Sequence, residues 1–141
     1  MKRRKKPSER AIMESYDPDK PIDPKAWLET DEAERSLLVE QYHRKKRIKL
    51  PNAVLHATIH VVIENQIALG DELPVEKILN RLMREGLDRH DAIHAIGSVL
   101  AEHMFDLLQG DGESENMNMN AKYFAQLEEL DAQEWLRSFD E

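Results

Sequence analysis

The chain has 141 residues, 40% of them apolar and 34% charged, with a net charge of −8, which suits one domain with a modest core and polar ends. It has no cysteine, which excludes disulfides, iron–sulfur clusters and every zinc site built on thiolate. No uninterrupted apolar stretch reaches the roughly 18 residues of a membrane span, and no apolar segment follows the basic start as in a secretory signal, so a cytoplasmic protein is expected.

The charge is unevenly spread. Residues 1–10 carry six Lys/Arg and one Glu, whereas residues 111–141 carry nine Asp/Glu against Lys122 and Arg137. Residues 1–22 hold the basic run and then "YDPDKPIDP", whose prolines favour extended backbone. They are expected as a disordered basic leader. Asp23-Pro24 reads as an N-cap followed by proline at the first helical position, opening the short helix "PKAWLE". Thr30 or Asp31 caps a second helix, "EAERSLLVEQYHRKKR", with Leu37, Leu38, Gln41 and Tyr42 as its inward stripe.

Pro51-Asn52 breaks the chain, and Asn52 caps a helix from about residue 53 to residue 69, stopped by Gly70. The helix "VEKILNRLMRE" buries Ile78, Leu79 and Leu82 and stops at Gly86. Asp88 caps the last long helix, residues 89–108, with Ile93, Ile96, Leu100, Met104 and Leu107 as its core stripe. The polar "ESENMNMNA" reads as a linker, and residues 121–137 as one more amphipathic helix. No run alternates with period two for long enough to make a strand. The fold expected is all-α: a compact bundle of four main helices spanning 23–110, with a disordered basic N-terminus at 1–22 and a linker-tethered acidic C-terminal helix in 111–141.

The chemistry concentrates in two places. "HATIHVVIENQ" sets His56, His60 and Glu64 four residues apart, and "RHDAIHAIG" does the same for His90 and His94. Positions four apart drift by only about 40° on a helix, so each set forms one row. Two imidazoles at this spacing can share a metal, with a carboxylate as a common third ligand. His56, His60, Glu64, His90 and His94 are therefore candidate ligands, and Zn, Fe(II), Mn and Ni the candidate ions. The competing and preferred reading is a hydrogen-bonded polar seam. In the first of these helices Leu55, Ile59, Val62 and Leu69 centre the apolar face, with the His/Glu row well round from it. Glu64 is the only formally charged side chain across residues 53–69, so that helix is expected to pack on two sides. His103 projects nearly opposite His94.

Other motifs are weaker. Lys2, Arg3, Arg4, Lys5 and Lys6, with Arg44, Lys45, Lys46 and Arg47, offer phosphate contacts, but the acidic balance and scarce aromatics argue against nucleic acid. "GDGESEN" lacks the spacing of a calcium loop. No activated nucleophile is visible, which argues against an enzyme.

The strings "YDP…PIDP", "RIKLPNAVLHATIHVVIENQIALGDELPV" and "EGLDRHDAIHAIGSVLAEH" together resemble a bacterial family of small proteins of the domain-of-unknown-function kind, over roughly residues 16–108. The resemblance implies a bacterial cytosolic protein and no particular activity, substrate or cofactor. Its motif positions here are His56, His60, Glu64, Asn65, His90 and His94, and Asn65 enters only on this ground. The function expected is a non-enzymatic helical binding module with its His/Glu seam in the groove between the two histidine-bearing helices. A protein partner or a second copy would suit it, and a membrane would not. The alternatives are a small metalloprotein and, last, association with nucleic acid.

Overall fold

The computed structural model describes Met13 and residues 15–46, 52–109 and 116–138. Among these there are seven α-helices and no strand, so the protein is all-α. No helix among the described residues is long and apolar enough to cross a membrane. Helix α1 is Pro24–Glu29, α2 is Glu32–Lys45 and α3 is Ala53–Ala68. A single 3₁₀ turn, Gly70–Glu72, precedes α4 (Val75–Arg84), α5 (Arg89–Leu108), α6 (Asn116–Glu128) and α7 (Ala132–Arg137). The chain forms two compact units, residues 1–69 and residues 70–141.

The caps expected from sequence are in place. Asp23, Asp31, Asn52 and Asp88 accept the backbone N–H of Ala26, Ala33, Leu55 and Asp91. Each satisfies a donor that the first helical turn leaves without an intrahelical partner. Helix α4 ends in a Schellman motif: Leu87 N–H reaches Leu82 C=O and Gly86 N–H reaches Met83 C=O, both at 3.1 Å. That closure needs a left-handed residue, and Gly86 supplies φ +119°. Gly70, at φ +61°, supplies a left-handed residue just past the end of α3.

In the first unit α1 and α2 both pack on α3. The core there is Tyr16, Trp27, Leu38, Val39, Ala57 and Val61, with Met13, Ile22, Tyr42 and Ala68 against it. Three expectations change. Tyr16, placed by sequence in a disordered leader, is 4% exposed, because its ring packs on Trp27 at 5.9 Å and its hydroxyl finds buried partners. In α2 the inward face is Leu38, Val39, Tyr42 and His43, whereas Leu37 and Gln41 are exposed. In α3 Leu55 and Leu69 are exposed, and the buried positions are Ala57, His60, Val61, Ile63, Glu64 and Ile67. The helix is rotated toward the His/Glu row, because those polar groups have hydrogen-bond partners inside and small Ala57 lets a neighbour approach. Burial on two sides, expected from the scarcity of charge, holds.

In the second unit α4 packs on α5, and α6 covers both. Val75, Ile78, Leu79 and Leu82 are buried with Ile93, Ile96 and Leu100, as the periodicity of both helices predicts. Two boundaries differ. Helix α6 starts at Asn116, inside the stretch expected as linker. The single helix expected over 121–137 breaks into α6 and α7, since Asp131 turns out of the helix to cap Glu134. Tyr123 and Leu127 are buried in this unit, and Arg81 Nη2 donates to the Leu127 and Glu128 carbonyls.

Candidate functional site

Helices α2 and α3 bring three histidines of the first unit together. The ring centroids of His43 and His56 lie 4.6 Å apart, those of His43 and His60 5.0 Å, and those of His56 and His60 4.8 Å. His43 is one turn from Val39 on the inward face of α2. His56 and His60 are successive turns of α3. His43 and His60 are buried, and His56 is half-buried.

Hydrogen bonds orient these rings. His43 Nδ1 lies 2.9 Å from the Val39 carbonyl oxygen. A carbonyl only accepts, so Nδ1 carries the hydrogen and Nε2 of the neutral ring carries the lone pair. His43 Nε2 lies 3.1 Å from His56 Nε2, so His56 is the donor of that pair. His60 Nδ1 lies 3.0 Å from the Tyr16 hydroxyl, which in turn donates to Glu64 Oε2 at 2.7 Å. A phenol has one hydrogen, so having given it to Glu64 it accepts from His60. His60 is thereby fixed with Nδ1 protonated and Nε2 bearing the lone pair. Glu64 is 2% exposed and one turn beyond His60.

Asn65 stands next to this chain in sequence and does different work. Its Oδ1 accepts from Trp27 Nε1 and from Arg35 Nη1, both at 2.8 Å. Arg35 also donates to the Thr30 and Leu28 carbonyls at the end of α1 and sits 5.8 Å over the Trp27 ring. Asn65 and Arg35 therefore pin α1 to α3, which holds Trp27 against Tyr16.

In the second unit His90 and His94 lie on successive turns of α5 with ring centroids 4.2 Å apart and planes tilted at 58°. One ring nitrogen of each lies within 4.8 Å of the other's. The same limit holds for His43 and His60 in the first unit. His103, farther along α5, is buried with its ring stacked on Tyr123 at 5.6 Å.

Of the residues singled out by sequence, His60 and Glu64 are thus joined through Tyr16, His56 is bonded to His43 with its ring against His60, Asn65 lies beside them, and His90 with His94 form a pair. His43 and Tyr16 were missed. His43 stands in "YHRKKR", which reads as a cationic helix end, and Tyr16 in a proline-rich segment without periodicity. The histidine's i+4 spacing from Val39 was the available signal. Of the basic candidates, Arg44, Lys45 and Lys46 are exposed at the end of α2. Lys2, Arg3, Arg4, Lys5, Lys6 and Arg47 lie outside the described residues, as do most of the leader and residues 110–115.

The fold and site define an all-α protein whose first unit encloses a histidine–phenol–carboxylate network. Residues 26–129 match the family described as Domain of unknown function (DUF1841), and the chain belongs to that family. The match extends through α6, beyond the span of roughly 16–108 over which the resemblance was read, and begins after Tyr16. No curated protein and no solved structure matches the chain.

Proposed function

We propose that the first unit is a transition-metal-binding module in which His43, His56 and His60 are the ligands. The observation that carries this reading is the 3.1 Å separation of His43 Nε2 and His56 Nε2. Two Zn–N bonds of about 2.0–2.1 Å at a tetrahedral angle set their nitrogens roughly 3.3 Å apart, so these two are already near ligand spacing. The orientation of the rings supports it. His43 and His60 each donate an outer Nδ1–H to a fixed acceptor, the arrangement that holds a metal-ligating histidine in the right tautomer. His56 joins them by moving its hydrogen from Nε2 to Nδ1.

An all-imidazole donor set favours Zn, Co, Ni, Cu or Fe(II) over Mg or Ca, which prefer oxygen. Glu64 is proposed here as an outer partner rather than a ligand, since its Oε2 accepts from Tyr16. His90 and His94 offer a further two donors in the second unit, and no nucleophile is needed for a binding role.

Metal content of protein purified without an affinity tag tests this. Bound metal, and a rise in thermal midpoint on adding Zn(II), are expected. An ion at 100 times its Kd adds about 2.7 kcal/mol. His43→Ala and His60→Ala should abolish the rise. The His90→Ala/His94→Ala variant measures separately what the second unit holds. Less than about a tenth of an equivalent of any transition metal, with no midpoint shift, overturns the reading.

A further inference from the structure

Three imidazoles are neutral ligands, so they bring no negative charge to a bound cation. Taking a divalent ion out of water without a counter-charge is costly. Among the described residues, Glu64 is the buried carboxylate, and it lies at the end of a directed chain. His60 Nδ1–H points to the Tyr16 oxygen at 3.0 Å, and Tyr16 O–H points to Glu64 Oε2 at 2.7 Å.

We infer that Tyr16 and Glu64 are a relay that positions His60 and supplies the negative charge selecting a divalent over a monovalent cation. The inference rests on the metal-binding reading above. A cation on His60 Nε2 makes the Nδ1–H more acidic. That strengthens its bond to Tyr16, which in turn strengthens the Tyr16 bond to Glu64, since hydrogen bonds in a chain polarise one another. Glu64 thus feels the cation without touching it. Direct ligation through Oε2 would instead forfeit the Tyr16 bond. Tyr16 also walls a cleft of about 600 Å³ together with Ile22, Tyr42 and Lys46, and neither His60 nor Glu64 reaches that wall. Tyr16, His60 and Glu64 are all buried, at 4%, 1% and 2% exposed, so water screens the effect little. Tyr16 and Glu64 are positioning residues that act through His60.

The test compares Co(II) and Ag(I) binding to the full chain, its Tyr16→Phe and Glu64→Gln variants, and the double variant. Each single variant should lose about 10- to 100-fold in Co(II) affinity, the usual effect of removing an outer partner of a ligating histidine. The double variant should lose little more, because both act in one chain. The electrostatic part scales with ion charge, so the Ag(I) loss should be about the square root of the Co(II) loss, roughly 3- to 10-fold. Tyr16→Phe keeps the ring that packs on Trp27 and Tyr42 and Glu64→Gln keeps the side-chain shape, and circular dichroism confirms that each is folded. Equal losses for both ions would mean a purely structural role and overturn the relay. So would unchanged Co(II) affinity in folded variants, while leaving the metal site standing. An unmodified chain that binds neither ion overturns both.

Discussion

Tyr16 and Glu64, 48 residues apart in sequence, meet at 2.7 Å, with the phenol donating to a carboxylate that is 2% exposed. This bond ties the segment before α1 to the middle of α3. It also fixes the His60 tautomer from a distance, which links a packing feature of the first unit to its chemistry. Removing the hydroxyl leaves the ring contacts with Trp27 and Tyr42 intact but takes a donor from a buried acceptor. Tyr16→Phe should therefore destabilise the metal-free protein by about 1–3 kcal/mol, read as a lower urea midpoint with an unchanged slope. A midpoint equal to that of the unmodified chain would show that Glu64 is satisfied without Tyr16.

Asn65 is a second point where one atom carries two donors. Trp27 Nε1 and Arg35 Nη1 both end on its Oδ1, and Trp27 is fully buried. Asn65→Ala should cost about 1–3 kcal/mol for the indole N–H alone. Arg35→Lys should also destabilise, because an ammonium cannot reproduce the planar fork that reaches Thr30, Leu28 and Asn65 together. The two losses should be less than additive, since the residues share a bond. A double-mutant cycle with no coupling would contradict the shared contact.

The all-α class, the caps and the two H-x3-H rows were legible because they depend on local rules. Asp23, Asn52 and Asp88 sit where a helix start needs an oxygen acceptor, and Gly70 and Gly86 sit where a left-handed residue closes one. The inward faces of α2 and α3 were not legible in the same way. Reading them from bulky aliphatics placed Leu37, Leu55 and Leu69 inside, yet all three are exposed. His43, His60 and Glu64 are buried with hydrogen-bond partners, among them Val39, His56 and Tyr16, which offsets the cost of burying them. Such pairing is a tertiary property, and hydrophobic periodicity does not encode it. For the same reason Tyr16, in a segment with no period at all, could not be tied to a site from sequence.

Gly86 is predicted to be irreplaceable for its backbone rather than for space. A Cβ built there meets nothing within 4 Å, but φ is +119°, a region that L side chains rarely adopt. Gly86→Ala should cost about 1–3 kcal/mol from backbone strain alone. Gly70 differs, with φ +61° inside the left-handed region that Asn tolerates. Gly70→Asn should therefore be milder than Gly86→Asn. Thermal melts of the three variants check this, and equal losses for Gly70→Asn and Gly86→Asn would defeat the argument.

Glu85 gives the second unit an acid-sensitive contact. The Ala132 backbone N–H, donating to Oε1 at 3.1 Å, and Arg81, donating to Oε2 at 2.7 Å, hold its carboxyl below the usual 4.5. It thereby joins the end of α4 to the start of α7. A carboxyl whose folded pKa is depressed contributes stability that is fully present above its unfolded value. As pH falls the unfolded chain takes up the proton first, and the contribution is gone once the folded group also protonates. The window therefore opens near pH 4.5 and closes below it. Because the side chain faces solvent, the effect should be modest and weaken with salt. Glu85→Gln keeps an oxygen for Ala132 but loses the charge. Its thermal midpoint should lie below that of the unmodified chain at neutral pH, and the two should converge as pH drops through the window. A gap that persists at pH 3 would assign the difference to packing or hydrogen-bond geometry instead of to the carboxylate's charge.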